Sequence, residues 1–271
     1  MISQVLLCAG AVFVYFRVRG LTDSRPDVAF HNANLVQRVE RDLRIDWERT
    51  LQQQVIDHRA ITEVLNWIYI YGHWPVIVIT LVWLLIRHVD AFRRTRNARF
   101  ASGAVGMAVF ALFPVAPPRL AHLGLVDTVT EQTNAYRVLQ PTAFTNQYAA
   151  MPSLHVGWDL LIGLAIWTAA RRLWVRLVGL AMPVAMTLAV VLTANHYLLD
   201  VVVGVTLTTA AWILFQHTGS RGRRTGGRKD AGSKKPSSIV IAASATTDGR
   251  QPIPARPAPD AETVVVHRQA D

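Results

Sequence analysis

Cysteine is almost absent from this chain, which has one, Cys8, among its 271 residues. Cys8 lies in an apolar run, so neither a disulfide framework nor a thiolate metal cluster can form within the chain. Because Leu7 is not small and little apolar sequence precedes it, a lipoprotein cleavage site is not expected at Cys8. No basic stretch comes before this run, which we therefore expect to be a membrane anchor and not a cleaved signal.

Acidic residues are also scarce, with 18 Asp and Glu against 28 Lys and Arg and a formal net charge of +10. The chain is nevertheless 51% hydrophobic, with a mean hydropathy of +0.25. This combination excludes an ordinary soluble domain and is typical of membrane spans joined by basic loops. There is no internal repeat, phosphate-cradling glycine loop or dinucleotide fingerprint. No aromatic interleaving accompanies the basic charge, so no nucleic-acid partner is expected.

The apolar runs predict an all-α integral membrane protein, a bundle of six helices. The predicted spans cover residues 2–18, 64–86, 100–115, 154–170, 173–193 and 198–215. The predicted regions are a first span in 1–19, an extracytoplasmic amphipathic region in 20–63, a five-span catalytic core in 64–216 and a tail in 217–271. His73 and Pro75 interrupt the second span, which aromatic residues precede in the manner of an interfacial belt.

Basic residues collect in three segments that a six-span bundle places on one face, which is therefore expected to be cytoplasmic. The segments are the loop of Arg87, Arg93, Arg94, Arg96 and Arg99, the loop of Arg171, Arg172 and Arg176, and the tail. Residues 114–151 and the turn at His196 are poor in basic residues and should face outward, across the plasma membrane. Arg17, Arg19 and Arg25 follow the first span on the predicted outer side and argue against that span.

Apolar residues recur every fourth position between Leu35 and Val55, with polar residues between them. This pattern predicts an amphipathic helix that lies on the outer membrane surface, packs over the bundle, or binds a partner. Beyond Gly219 the sequence turns to Gly, Ser, Pro and basic residues. We expect a disordered cytoplasmic tail whose basic half can touch anionic membrane lipids.

Two polar clusters, each with a histidine, flank the fourth and fifth spans: Met151-Pro-Ser-Leu-His155 and Thr193-Ala-Asn-His-Tyr-Leu-Leu-Asp200. On a helix, residues four apart share a face, so the Asp200 carboxylate can hold one imidazole nitrogen of His196 and leave the other free to attack or ligate. Such pairs are more often surface hydrogen bonds in an arbitrary protein. Beside membrane spans ionisable groups are costly, which favours a functional interpretation.

The first cluster is suited to an anion. Pro152 is expected to be the first residue of the fourth span, so that the amides around Ser153 point outward at the positive end of the helix dipole. His155 lies one turn away and can exchange a proton. Arg119, at the outer end of the third span, can offer a bidentate fork to phosphate or can simply snorkel. Together these groups form a phosphoryl-transfer constellation that requires no metal or other cofactor.

These residues resemble a known family. The two clusters, with Pro117-Pro-Arg-Leu120 upstream, are similar to the three motifs of the type 2 phosphatidic acid phosphatase superfamily, over about residues 35–215. The closest likeness is to its inositol phosphotransferase branch, which includes fungal inositol phosphorylceramide synthase. The resemblance implies a six-span bundle, a phosphohistidine intermediate and a lipid phosphate substrate.

The resemblance also implies roles for individual residues. His196 would be the nucleophile, Asp200 its orienting carboxylate and His155 the acid that protonates the leaving oxygen, while Ser153 and Arg119 would bind phosphate.

Two positions depart from the superfamily pattern. Leu112 stands where the first motif usually has Lys, and Val190 stands where the third usually has Arg. These departures are typical of the transferase branch.

Three further polar residues lie close to the clusters in the sequence. Asp159 is one helical turn from His155, where a buried carboxylate would favour a protonated imidazole, although it could instead line a hydrated part of the bundle. Asn195, beside His196, is a second candidate for a supporting role. His73 is interpreted as a structural histidine bonded to carbonyls that a helix kink exposes.

The leading hypothesis is therefore a membrane enzyme that cuts a lipid-linked phosphate ester at the outer face. With water as acceptor it is a plain phosphatase of the phosphatidic acid or polyprenyl phosphate type, and with an alcohol such as inositol or a lipid hydroxyl it is a transferase. Two hypotheses from other classes stay open. One is a metal- or haem-binding membrane module built on His155, His196 and a carboxylate, and the other is a non-catalytic lipid transporter or scaffold.

Overall fold

A computed structural model describes residues 24–121, 123–129 and 146–226, together with residues 10, 13, 14, 16–20 and 22, and gives side chains as far as residue 216. Over these residues the fold is all-helical, as predicted. In chain order the helices are α1 Pro26–Leu43, α2 Glu48–Gln53, α3 Arg59–Tyr71, α4 Trp74–Arg87, α5 Val89–Leu112, α6 Leu154–Ala169, α7 Leu173–Leu192 and α8 Leu198–Gly226. A β-bridge joins Val115 and Ala149.

Helix α6 is the centre of the bundle, because it packs along α5, α7 and α8. Glycines allow two of these approaches to be very close. A Cβ atom on Gly163 would lie 2.4 Å from the carbonyl oxygen of Gly179 in α7, and one on Gly204 would lie 2.3 Å from the carbonyl oxygen of Ser153. Small residues are how membrane helices bring their backbones together. The two helix starts that carry the polar clusters are therefore held side by side.

Among the described residues, two helices are long and apolar enough to cross a membrane, α7 and the part of α8 from Leu198 to Gln216. A third candidate is the pair α3 and α4, bent by 45° at the break between them, where His73 lies as the sequence suggested. Helix α6 is apolar but shorter, at 16 residues. Two to three apolar helices fit a membrane protein. The count of six remains a prediction, and most of the first predicted span lies outside the described residues.

The predicted basic loop after the second span is wrong. Only His88 separates α4 from α5, so most of the arginines assigned to that loop lie on α5, which begins at Val89 and not at residue 100. Arg99 packs between the rings of Trp74 and Trp158, with its guanidinium carbon 5.0 and 4.4 Å from their centroids. Because arginine stacks on aromatic faces, it enters the bundle where a run of charges suggested a loop.

The predicted continuous amphipathic helix from Leu35 to Val55 is also wrong. Helix α1 ends at Leu43, because Arg44 adopts a left-handed conformation with φ of 59°, and α2 begins only at Glu48. Leu43 is 59% exposed, whereas the buried face of α1 includes Glu40. A spacing of four residues advances about 40° beyond one turn at each step, so the apolar stripe winds around the helix and does not mark its buried face.

Two predicted boundaries also move. Helix α6 starts at Leu154 with Ser153 as its N-cap residue, so Pro152 precedes the helix and is not its first residue. The contact with Gly204 keeps Ser153 extended, with ψ of 93°. Helix α8 reaches Gly226, so residue 217, the predicted start of the tail, lies within a helix. Continuing a helix adds one hydrogen bond for each residue fixed. The rest of the predicted tail, 227–271, lies outside the described residues.

Candidate active site

The turn between α7 and α8 positions His196. Ala194 takes a left-handed conformation with φ of 57°, and the amides of Asn195 and His196 both donate to the carbonyl oxygen of Val190, at 2.9 and 3.1 Å. These bonds use a carbonyl that the end of α7 would otherwise leave unpaired. The chain thus reverses within five residues, and His196 lies immediately ahead of α8.

The His196 ring is held through Nδ1, and its side chain is 6% exposed. Nδ1 lies 2.7 Å from the carbonyl oxygen of Ala150 and 3.5 Å from Oδ2 of Asp200. A backbone carbonyl can only accept, so Nδ1 is the protonated nitrogen and Nε2 keeps its lone pair. The sequence suggested Asp200 for this task. Ala150, which is 46 residues away and contributes only backbone, has no sequence signal.

Asp200 is completely buried, and its Oδ2 atom accepts the Tyr197 amide at 2.9 Å. Its backbone carbonyl accepts the Ser153 amide at 2.9 Å, so a hydrogen bond joins the two polar clusters directly. Asp200 therefore caps the start of α8, lies close to the His196 ring and is connected to the start of α6.

The structure brings the rings of His155 and His196 together, with their centroids 5.7 Å apart. Helices α6 and α8 run side by side from these clusters, which places both imidazoles at one end of the bundle. The Tyr69 ring from α3 lies 5.0 Å from the His155 ring on another side. A phosphoryl group bound between the two imidazoles could be attacked by one of them and exchange a proton with the other.

Ser153 is fully buried, yet its Oγ atom has no hydrogen-bond partner in the structure. An unsatisfied buried hydroxyl costs about 1–3 kcal/mol. Ser153 is the N-cap residue of α6, but its hydroxyl does not cap the helix. A phosphate oxygen at this helix start would satisfy both the hydroxyl and the first amides. The anion site that the sequence suggested here stays a prediction.

Arg119 is held from two sides. Its Nη1 donates to Oδ1 of Asn195 at 2.6 Å, and its Nε lies 3.2 Å from Oδ2 of Asp127. Asn195 itself donates to Thr193 Oγ1 at 2.8 Å. Asn195 thus holds one end of the Arg119 guanidinium in place. Asp127 was missed, because a lone carboxylate in a long loop carries no pattern.

Asp159 and His73 form a buried pair, with Oδ1 of Asp159 2.8 Å from Nδ1 of His73. The His73 ring centroid lies 4.7 Å from that of His155. The predicted carbonyl partner of His73 is therefore wrong, since a carboxylate occupies that place. Asp159, expected beside His155, reaches it through His73. Histidine and carboxylate pair because each satisfies a polar group that burial would otherwise leave unpaired.

Two buried carboxyl groups, one in α1 and one in α2, were not predicted from the sequence. Glu40 of α1 accepts the Leu199 amide and Glu48 of α2 accepts the Leu198 amide, both at 2.8 Å. Burial raises the pKa of Glu40 to about 8 and also raises the pKa of Glu48 above its ordinary value. Both carboxyl groups thus accept hydrogen bonds from amides of the first turn of α8, which follows His196.

The two departures from the superfamily pattern have clear places in the fold. Leu112 is 82% exposed at the end of α5, and Val190 is fully buried in the apolar core. Neither position brings a cation to the histidines. Among the sequence candidates, Arg119 carries the positive charge at this end of the bundle.

Comparison with known proteins identifies the family. The model of the PAP2 superfamily matches residues 34–214, which include the two histidine clusters, Arg119 and most of the outer helices. No curated protein and no solved structure matches the chain. The family match covers well over half of the 271 residues. The chain therefore belongs to the PAP2 superfamily, a membership that indicates activity of the lipid phosphate phosphatase type.

Proposed function

We propose that this protein is a membrane phosphotransferase or phosphatase that cleaves a lipid-linked phosphate ester through a phosphohistidine on His196. The observation that carries the proposal is the 5.7 Å separation of the His155 and His196 rings beside a buried, unbonded Ser153 hydroxyl. We expect one phosphoryl group to contact all three side chains. Family membership supports the lipid phosphate substrate.

The proposed reaction has two steps. In the first, the Nε2 lone pair of His196 attacks phosphorus, the bond to the lipid-side oxygen breaks, and His155 gives its proton to that oxygen. In the second, an acceptor hydroxyl attacks the phosphohistidine and loses its proton to His155, and the N–P bond breaks. Arg119 and the amides at the start of α6 stabilise the phosphoryl charge throughout. The protein side chains suffice for these steps, so we propose a metal-independent reaction.

We further propose that the acceptor is an alcohol, such as inositol or a lipid hydroxyl, which makes the protein a transferase like those of the inositol phosphotransferase branch. The support is the neutral residues Leu112 and Val190 at the two positions where superfamily members usually have cations. Fewer fixed charges around the phosphate leave room for a polar acceptor. The plain lipid phosphate phosphatase, with water as the acceptor, is the alternative outcome of the same assay.

We propose that the site faces outward across the plasma membrane, with the C-terminus in the cytoplasm. Helix α6 runs from Ser153 at the site to the turn that carries Arg171 and Arg172. Sixteen helical residues span about 24 Å, so these arginines lie at the opposite end of the bundle. Because basic turns stay on the cytoplasmic side, the histidines belong to the outer side.

The test uses purified protein and lipid phosphates labelled with ³²P, with and without inositol, in the presence of a chelator. We expect an acid-labile phosphoenzyme that His196→Ala abolishes, with turnover falling by several orders of magnitude. His58→Ala, at an exposed histidine outside the site, is the matched control. Label on another side chain, or full turnover in His196→Ala, would overturn the mechanism. Loss of activity in the chelator would argue for a metal.

The hypotheses from other classes gain no support from the geometry. Within the described residues, no three His, Cys, Asp or Glu side chains are grouped so that they could hold a metal ion. A lipid transporter or scaffold would give the Ser153 hydroxyl no reason to lie buried and unbonded beside two imidazoles. Intact function in His196→Ala would restore that hypothesis.

A further inference from the structure

Three buried carboxyl groups meet at the start of α8, and the two that come from outside this helix have no part in the chemistry proposed above. Glu40 is 1% exposed, Glu48 is 6% exposed and Asp200 is fully buried. Each accepts a different amide of the first turn: Asp200 that of Tyr197, Glu48 that of Leu198 and Glu40 that of Leu199. Every amide from Tyr197 to Leu199 thus ends on a carboxyl oxygen.

Amides at a helix start can be satisfied by one serine or asparagine cap, or by water. Carboxylates that come from 150 and 159 residues earlier in the chain are an expensive substitute, because burial of a charge is costly. The expense is reduced if the groups share protons. Glu40 and Glu48 accept the amides of consecutive residues, so their two buried carboxyl groups lie close together, and a proton shared between them would remove one of the two buried charges.

We propose that Glu40 and Glu48 are positioning residues of the phosphoryl-transfer site, and that the single proton they share keeps the start of α8, and with it His196, in place. The proposal rests on the proposed function for its catalytic consequence. The pair links the outer helices α1 and α2 to the catalytic turn. The adjoining contacts are consistent with this role, since Tyr197 belongs to the apolar cluster beneath α1.

The shared proton gives the pair a pH dependence. The titratable groups that face it are each other, Asp200 and the Tyr197 phenol, and all of these add negative charge when ionised. Burial, supplemented by Glu48 and Asp200, raises the pKa of Glu40 to about 8. Above that pH, three carboxylates would occupy one buried spot. Their repulsion would loosen the first turn of α8 and displace the His196 ring.

Replacing Glu40 by glutamine keeps its hydrogen bonds but removes the proton that can dissociate. In Glu40→Gln the side-chain carbonyl still accepts the Leu199 amide, and its NH₂ group donates permanently to Glu48. The variant therefore keeps the geometry but does not titrate. Glu40→Ala removes both bonds. Glu63→Gln is the matched control, because Glu63 is exposed and pairs with Arg59 on the surface of α3.

The experiment measures kcat and KM against pH, and the unfolding temperature against pH, for the full-length protein in detergent. We expect wild-type kcat to fall above about pH 8, Glu40→Gln to move this fall upward by about one pH unit or more, and Glu40→Ala to lower kcat at every pH by about tenfold or more. Glu63→Gln should follow the wild type. A role in substrate binding alone would change KM and leave the pH limit of kcat in place.

The stability measurement decides the proposal even if the substrate is wrong. A carboxyl group whose pKa is raised on folding stabilises fully below its unfolded pKa, and this contribution is lost as pH rises towards the folded pKa. The unfolding temperature of Glu40→Gln minus that of wild type should therefore increase between about pH 5 and 9. If the difference is flat and the kcat profiles coincide, the shared proton is refuted, whether or not His196→Ala still shows the phosphohistidine reaction.

Discussion

The replacement of Asp200 by asparagine tests whether the Ala150 carbonyl or the Asp200 carboxylate orients the ring of His196, the proposed nucleophile. In the structure Nδ1 of His196 is closer to the Ala150 carbonyl, at 2.7 Å, than to the Asp200 carboxylate, at 3.5 Å. Asparagine keeps an oxygen to accept the Tyr197 amide, and the backbone bond from Ser153 is unaffected. Asp200→Asn therefore removes a negative charge near the ring and leaves the tautomer to Ala150.

The size of the effect follows from this geometry. An interaction with a charged partner at hydrogen-bond distance contributes about 1.5–3 kcal/mol, and at 3.5 Å the Asp200 carboxylate lies at the outer limit of that distance from the ring. Since 1.36 kcal/mol corresponds to a factor of ten in rate, Asp200→Asn should lower kcat/KM by about 10- to 150-fold. If the carboxylate alone set the tautomer, the loss would approach the roughly 10⁴-fold seen when the aspartate of a serine protease triad is changed to asparagine.

The assay is formation of the ³²P-labelled phosphoenzyme under single-turnover conditions, followed separately from release of phosphate or transfer to inositol. Asp57→Asn, at an exposed carboxylate outside the site, controls for the loss of a charge. The unfolding temperature of each variant reports whether the protein is folded. A loss near 10⁴-fold in a folded variant would refute the role given to Ala150, and no loss at all would refute that of Asp200.

Two other predictions concern the neighbours of His155. Ser153→Ala should lower kcat/KM by about 10-fold or more without lowering the unfolding temperature, because the hydroxyl has no partner until phosphate binds; a stability loss with unchanged activity would contradict this. His73→Gln and Asp159→Asn should each slow turnover, and the double variant should be little worse than either single one, since the two side chains form one buried pair. Additive losses in that cycle would show that they act separately.

Much of the site is predictable because local spacing and helix ends determine it. Two histidines at the starts of α6 and α8 must meet if neighbouring spans pack side by side, and the structure places their rings 5.7 Å apart. The motif around Arg119 likewise marks the end of α5. Helix identity in the apolar runs follows from composition.

The rest depends on contacts that no local pattern records. The Ala150 carbonyl is a backbone group, and its role appears only once the chain is folded. Glu40 and Glu48 lie in a stretch where charged residues suggested a solvated face, but the amides they accept from lie about 150 residues further along the chain. Arg99 was predicted to lie in a basic loop, but it stacks on Trp74 and Trp158 within the bundle.

The hydrogen bond from the Ser153 amide to the Asp200 carbonyl oxygen, and the lack of space for a side chain at Gly204, hold the start of α6 against α8 and so join the proposed anion site to the proposed nucleophile. Under the proposed function, the lipid substrate is therefore not expected to enter by separation of α6 from α8. Entry of the proposed substrate is instead expected to depend on the residues around the site, such as Tyr69 of α3 and the part of α1 that packs against Tyr197. Mutations that change the preferred lipid or acceptor are therefore expected among those surrounding residues, while His155, His196 and Ser153 stay unchanged.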